Sequence, residues 1–172
     1  MQFAEKNKMI SDQYEINELT SKLKSGSLAL FPTDTLPALS SYPNYSKKIW
    51  AVKKRPINKP LILMGGCIED LFEFVEPSAK EDGLKIAKIY WPGALTIILP
   101  TIGSLSKFLN FNSNSIGFRV PALKLARDLL MQSGPLATTS ANISGKSPVR
   151  NASEASLQFP GIPILGPVPW PN

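Results

Sequence analysis

At 172 residues, 43% of them hydrophobic and 19% charged, the chain is globular rather than disordered in make-up, and long enough to bury about 70% of the surface its unfolded form exposes. With no histidine and Cys67 as its single cysteine, it excludes Ser-His and Cys-His catalytic pairs, His-containing metal sites, thiolate zinc clusters and an internal disulfide. A net charge of +6 is either ordinary solubility charge or a pointer to anionic partners, nucleotide phosphates or nucleic acid.

The N-terminus, MQFAEKNKMISDQYE, lacks an apolar core followed by a small-residue cleavage site, and no apolar run approaches the roughly 20 residues of a membrane span. The lone cysteine suits a reducing compartment, so a cytoplasmic location is expected. Residues 15–24 set Ile16, Leu19 and Leu23 at helical spacing, and Gly26 can end that helix. Residues 28–33 read as a strand. Tyr45 to Lys54 reads as a helix stopped before Pro56, and 61–64 as a short buried strand. A helix over 78–90 has Ser78 as its N-cap, with Glu81 three residues later. Strands follow at 94–99 and 115–120, then an amphipathic helix over 122–132 that closes at Gly134. Residues 136–140 read as a strand and 152–158 as a last helix. The tail, FPGIPILGPVPWPN over 159–172, has too many prolines for a helix or a central strand and is expected to be irregular. No internal repeat or linker splits the chain. Such alternation predicts an α/β fold, with ligands gathered where loops leave the strand ends.

Chemistry-bearing residues concentrate in a few segments. PLATTSANISGKSP, 135–148, places Thr138, Thr139, Ser140, Asn142 and Ser144 after an apolar start. Buried polar groups need partners, so this run either grips a polar ligand or caps its own loop. On an extended strand Ser140 and Asn142 would project together while Ala141 turns away. FPTDTLPALS, 31–40, puts Thr33 and Thr35 around Asp34. AVKKRPINKP, 51–60, gathers Lys53, Lys54, Arg55 and Lys59, which is a solvated basic face or a phosphate grip of forked guanidinium and mobile ammonium. Arg119 stands alone at a strand end in IGFRVPA. The chain has no P-loop and no carboxylate cluster for two metals. A phosphate site with so little acid–base equipment suits adenylation, where a carboxylate-like nucleophile is brought in line with an α-phosphate.

Taken in order, Pro-Thr-Asp-Thr at 32–35, Lys-Lys-Arg-Pro at 53–56, Trp-Pro-Gly-Ala-Leu-Thr at 91–96, Arg-Val-Pro at 119–121 and Ser-Ala-Asn-Ile-Ser-Gly at 140–145 resemble the YrdC-like family, the threonylcarbamoyl-AMP synthases. The resemblance spans residues 15–150. It implies one YrdC-like domain over 1–172, a twisted mixed sheet flanked by helices with a basic cavity. It also implies a nucleotidyltransferase that joins L-threonine, bicarbonate and ATP into threonylcarbamoyl-AMP and diphosphate. That product feeds a downstream tRNA threonylcarbamoyl transferase machinery acting on adenosine 37. By the same resemblance, Thr33 and Ser140 are threonine-site hydroxyls and Arg119 is the partner of the amino-acid or carbamate carboxylate. Lys53, Arg55 and Asn142 surround the nucleotide phosphates and, with Ser140, form the catalytic set. Lys59, Ser115 and Arg150 match nucleotide-contacting positions, and Mg2+ would ride on the phosphates without a dedicated protein cage.

Two departures from the pattern stand out. Leu36-Pro37-Ala38-Leu39 replaces a hydrophobic residue followed by Tyr-Gly-Leu, and up to Asn172 there is no Ser-Thr-Val-Val or Arg-Pro-Gly segment of the kind that helps close the site. Two other readings therefore stay open: a non-catalytic member binding double-stranded RNA or tRNA, and a nucleotide-binding domain acting on another small acid. Base-reading RNA modules expose aromatics for stacking, whereas Phe31, Trp50, Trp91 and Phe118 sit inside apolar runs.

Overall fold

Short apolar runs, too brief to be helices, supply most of an eight-stranded sheet. The computed structural model describes residues 13–171; the reading of the first residues as free of a secretory signal lies largely outside them. The strands are β1 (Gln13–Tyr14), β2 (Ala29–Phe31), β3 (Ala38–Ser41), β4 (Ile62–Met64), β5 (Ile97–Pro100), β6 (Ser115–Arg119), β7 (Leu136–Ser140) and β8 (Ile164–Leu165). Their order across the sheet is β1-β8-β2-β3-β7-β4-β6-β5. β8 runs parallel to β1 and β2, and β4 parallel to β6; the other neighbours are antiparallel. The helices are α1 (Ile16–Lys24), α2 (Lys47–Lys53), α3 (Ile68–Phe72), α4 (Pro77–Tyr90), α5 (Leu105–Leu109), α6 (Lys124–Ser133) and α7 (Ala152–Gln158), with a 3-10 turn at Pro43–Tyr45.

Helices cover both faces of this mixed sheet. On β2, Ala29 and Phe31 join Leu19 and Leu23 of α1 and Leu129 and Leu130 of α6. Leu30, between them, joins Ile49 and Trp50 of α2 and Phe118 of β6, as strand alternation requires. Each of these large buried side chains contributes about 1.5–3 kcal/mol relative to exposure. Among the described residues no helix is long and apolar enough to cross a membrane.

The tail departs from its expected irregularity. Ile164 and Leu165 enter the sheet between β1 and β2, where Leu30 donates its N–H to Pro163 O at 2.9 Å and Gly166 to Tyr14 O at 2.8 Å. Prolines bracket this strand without entering it, so the two ladder residues keep their donors. Helix α4 begins at Pro77, flanked by Glu76, and no side chain caps it. Proline at the first helical position pre-sets φ, so the expected Ser78–Glu81 box is not formed; Glu81 instead pairs with Lys85 at 2.9 Å. Helix α6 closes at Gly134, φ +79°.

Candidate active site

Pairing register lays one cavity across the face of the sheet. Ala38 lies opposite Ser140, Ile62 opposite Thr138, and Met64 opposite Arg119. Directly opposed residues share a face, as do residues two apart on a strand. These six side chains, with Thr35, Leu36 and Thr139, line a chamber of about 140 Å3 beneath the β2–β3 loop. A second cleft of about 350 Å3 is lined by Thr33, Asp34, Pro37, Leu123, Arg150 and Trp170 among others. Thr35 borders both. The chamber thus sits on a sheet face under a loop, and Arg119 and Ser140, the last residues of β6 and β7, stand in its wall.

The Pro-Thr-Asp-Thr loop holds its own shape. Thr33 Oγ1 accepts the Thr35 N–H at 3.1 Å and donates to Leu36 O at 2.7 Å, with the Thr35 hydroxyl 3.1 Å away. Asp34 Oδ1 accepts the Ala122 N–H at 2.8 Å and lies 2.9 Å from Arg119 Nη2. Arg119, 6% exposed, donates from Nη1 to Thr35 Oγ1 at 2.9 Å and from Nε to Gly93 O at 3.0 Å. Gly93 in turn donates its N–H to Val120 O at 2.8 Å. The Trp-Pro-Gly, Arg-Val-Pro and Pro-Thr-Asp-Thr segments therefore meet on one guanidinium. Nη2 is close enough to Asp34 for an ion pair but off the line of a hydrogen bond.

The Ser-Ala-Asn segment meets a lysine from the other face of the sheet. β7 ends at Ser140, and Asn142 donates its N–H back to Ser140 O at 2.9 Å, so these residues turn instead of continuing an extended strand. Their side chains still meet, with Ser140 Oγ donating to Asn142 Oδ1 at 2.6 Å. Ala141 is buried, and donates its N–H to Pro37 O at 2.7 Å. Lys53, 1% exposed at the end of α2, donates its ammonium to Ser140 O and to Asn142 Oδ1, the latter at 3.4 Å. Its carbonyl accepts the Ser144 N–H at 3.0 Å. Burial, and then the charge of Arg55, lower the Lys53 pKa to about 8.

The other expected site residues are dispersed. Lys54 at φ +51° turns the chain at the end of α2. Arg55 then donates from Nε to Lys59 O at 3.3 Å and from Nη2 to Pro60 O at 2.9 Å, which stiffens the loop carrying Lys59. Arg150 reaches the cleft wall, and its N–H donates to Glu154 Oε2 at 2.8 Å. Ser115 begins β6, about 13 Å along the strand from Arg119. Its N–H donates to Ser113 Oγ at 3.1 Å and its carbonyl accepts from Asn110 Nδ2 at 2.8 Å. The structure does not bring Ser115 to the chamber. Chamber and cleft carry one arginine each, Arg119 and Arg150, and their walls are otherwise hydroxyl, apolar and acidic. Among the described residues no three His, Cys, Asp or Glu side chains group to hold a metal.

Sequence reasoning gave no site role to Asp34, an isolated carboxylate, or to Trp170, and named Thr138 only as one member of the polar run over 135–148. The flanking hydroxyls were a signal for Asp34. The other two needed the register and the path of the tail. Thr138 Oγ1 and Arg119 Nη2 are two of the three buried side-chain polar atoms without a hydrogen-bond partner among the described residues, and both belong to residues lining the chamber. Such atoms are costly in a finished core; Arg119 Nη2 is offset by its ion pair with Asp34, and Thr138 Oγ1 has no such partner.

The chain is similar to known proteins in sequence and fold. The Sua5–YciO–YrdC family model, described as telomere recombination, matches residues 21–164. The threonylcarbamoyl-AMP synthase of Idiomarina loihiensis is 35% identical over 144 residues, which cover 81% of this chain and 77% of the relative. The one from Pyrococcus abyssi is 30% identical over 154 residues, 87% of this chain and 45% of the relative, so the chain spans less than half of that longer protein. Among solved structures, P. abyssi Sua5 complexed with L-threonine matches with a TM-score of 0.80 and 31% identity, over 87% of this chain and 45% of that one.

Proposed function

The chain belongs to the Sua5–YciO–YrdC family, and on that footing we propose that it is an L-threonylcarbamoyladenylate synthase, a nucleotidyltransferase using L-threonine, bicarbonate and ATP. The observation that carries this reading is Arg119: a buried guanidinium, ion-paired with Asp34 and hydrogen-bonded to Thr35 and Gly93 O, in the wall of a chamber of about 140 Å3. That volume equals about four or five waters at 30 Å3 each, enough for a compact amino acid and too little for a nucleotide. A substrate carboxylate here would share Arg119 Nη2 with Asp34. The adjoining cleft of about 350 Å3, with Arg150 in its wall, is the larger space left for ATP.

In this reaction the amine of threonine and bicarbonate form a carbamate with loss of water. A carbamate oxygen then bonds the α-phosphorus, the bond to the β-phosphate bridge breaks, and diphosphate leaves. The chain's part is placement: Arg119 holds the amino acid, and the Lys53–Ser140–Asn142 cluster borders the boundary between amino acid and nucleotide. Lys53 and Arg55 add positive charge there, Thr33 shapes the loop between the two cavities, and Arg150 flanks the nucleotide. Magnesium would arrive on the phosphates and screen their charge. The decisive assay incubates the protein with ATP, bicarbonate and each amino acid in turn. An AMP ester and diphosphate formed with L-threonine support the reading; no adduct with any amino acid refutes it. The product would pass to a tRNA threonylcarbamoyl transferase in the cytoplasm.

One surface favours a second reading, RNA binding. No carboxylate occurs between Asp34 and Glu69 or between Asp82 and Asp128, and the fold brings parts of these two stretches together. Phe111, 42% exposed, packs on Trp50 with ring centroids 5.3 Å apart. Lys47 and Lys54 lie one helical turn either side of Trp50, whose indole donates to Lys59 O at 3.1 Å, and Lys107 lines the same polar hollow as Phe111. Exposed lysines around a stacking ring fit the backbone and bases of RNA, double-stranded or tRNA.

A further inference from the structure

The orphan hydroxyl of Thr138 carries the argument beyond the reaction class. Thr138 is completely buried, its Oγ1 has no hydrogen-bond partner, and it lies in the chamber wall. The neighbouring hydroxyls are engaged. Ser140 Oγ donates to Asn142, Thr33 Oγ1 to Leu36 O, and Thr35 Oγ1 accepts from Arg119. Thr139 also borders the chamber, but next to Thr138 on an extended strand its side chain alternates to the opposite side of β7. Beside Thr138 the chamber is apolar: its cross-strand neighbour Ile62, then Met64, Ala38 and Leu36. One end therefore carries the ion-paired Arg119, one wall an unpartnered buried hydroxyl, and the surface beside that hydroxyl is methyl and methylene.

We propose that Thr138 is the specificity-determining residue for the amino acid, hydrogen-bonding its β-hydroxyl while Ile62 and Met64 hold its methyl group. This rests on the synthase reading of the same site. A site built to pair a buried hydroxyl rejects an analogue that lacks one, because its own polar atom is then left unpaired. Valine, with a methyl in place of the hydroxyl, is the analogue to reject. Serine keeps the hydroxyl and loses the methyl, a loss of about 10-fold in a hydrophobic pocket. L-allo-threonine exchanges hydroxyl and methyl about the β-carbon, so it sets each against the wrong wall.

The test measures amino-acid-dependent diphosphate release, and calorimetric binding of the same amino acids, for the full chain and for Thr138→Val, Thr138→Ser and Thr138→Ala. In the unaltered protein the expected order is threonine above serine, with valine and allo-threonine at least about 100-fold below threonine. Thr138→Val keeps the side-chain shape and removes a buried unpaired hydroxyl, so its melting temperature should hold or rise. Its threonine-to-valine ratio should fall at least about 10-fold. Thr138→Ser should keep the preference, and Thr138→Ala should lose it as the valine variant does. If the unaltered protein makes the threonine adduct and Thr138→Val keeps the same threonine-to-valine ratio, this assignment is wrong and the synthase reading stands. If the unaltered protein neither turns over nor binds threonine in preference to valine, both fail together.

Discussion

The ammonium of Lys53, at the end of α2, donates to the main-chain carbonyl of Ser140, 87 residues further along the chain. This contact links the basic segment to the Ser-Ala-Asn turn, and it depends on a proton. Because burial lowers the folded pKa to about 8 from 10.5, the folded protein releases this proton before the unfolded chain does. Between about pH 8 and pH 10.5 the unfolded state binds more protons, so this group's contribution to stability rises with pH. Deprotonation also removes the positive charge beside the proposed nucleotide site. Activity should therefore fall as pH passes about 8 while stability does not fall with it. A pH profile of turnover, set beside melting temperatures in the same buffers, tests this. Lys53→Arg, if it folds, should move the alkaline limb upward, since guanidinium stays charged.

Asp34 is coupled to Arg119 and to the Ala122 amide through one oxygen. Asp34→Ala would leave a nearly buried guanidinium uncompensated, a loss of about 3 kcal/mol. At about 2–4 °C per kcal/mol for a chain of this size, the melting temperature should drop by about 6–12 °C. Asp34→Asn keeps an acceptor for the amide and should lose less. Equal melting temperatures for Asp34→Ala and the unaltered protein would show that the pair contributes nothing.

Asn142 separates placement from support. Its Oδ1 accepts from Ser140 and Lys53, and its Nδ2 donates to Ile143 O at 3.2 Å and Lys146 O at 3.0 Å. Misplacement by about 1 Å can slow a reaction about 100-fold. Asn142→Ala should thus cut adenylate formation per folded molecule far more than it lowers the melting temperature. The reverse outcome would make Asn142 a structural clasp.

The layered fold was legible because its central strands are apolar runs and its longer helices have clear periodicity. Leu63, Phe118 and Ala137 belong to runs that read as strands. The two-residue strand Ile164–Leu165 lies in a proline-rich stretch, and its pairing with β1 and β2 depends on residues more than a hundred positions away. Helix α3 and helix α5 are five residues each, too short for periodicity to declare them. At the site, residue types marked the segments but not their pairings. Nothing local distinguishes Thr138, a buried hydroxyl without a partner, from Ser40, a buried hydroxyl that donates to Ala29 O at 3.0 Å. Register makes that distinction.

The lysines around Phe111 make the last prediction. If RNA binds there, log affinity should fall linearly with log salt, with a slope of about 0.9 per neutralised phosphate on a duplex and about 0.7 on a single strand. Lys107→Ala and Lys54→Ala should each lower that slope by roughly one contact and weaken scrambled sequences equally. Phe111→Ala should weaken a single strand by about 1–3 kcal/mol through lost stacking and leave a duplex nearly unchanged. None of these residues lines the chamber, so amino-acid turnover should stay at its original rate in all three variants. Fluorescence anisotropy with labelled single-stranded and duplex RNA across a salt series decides the matter. Binding that ignores salt, or that survives loss of all three side chains, would place RNA elsewhere on the molecule.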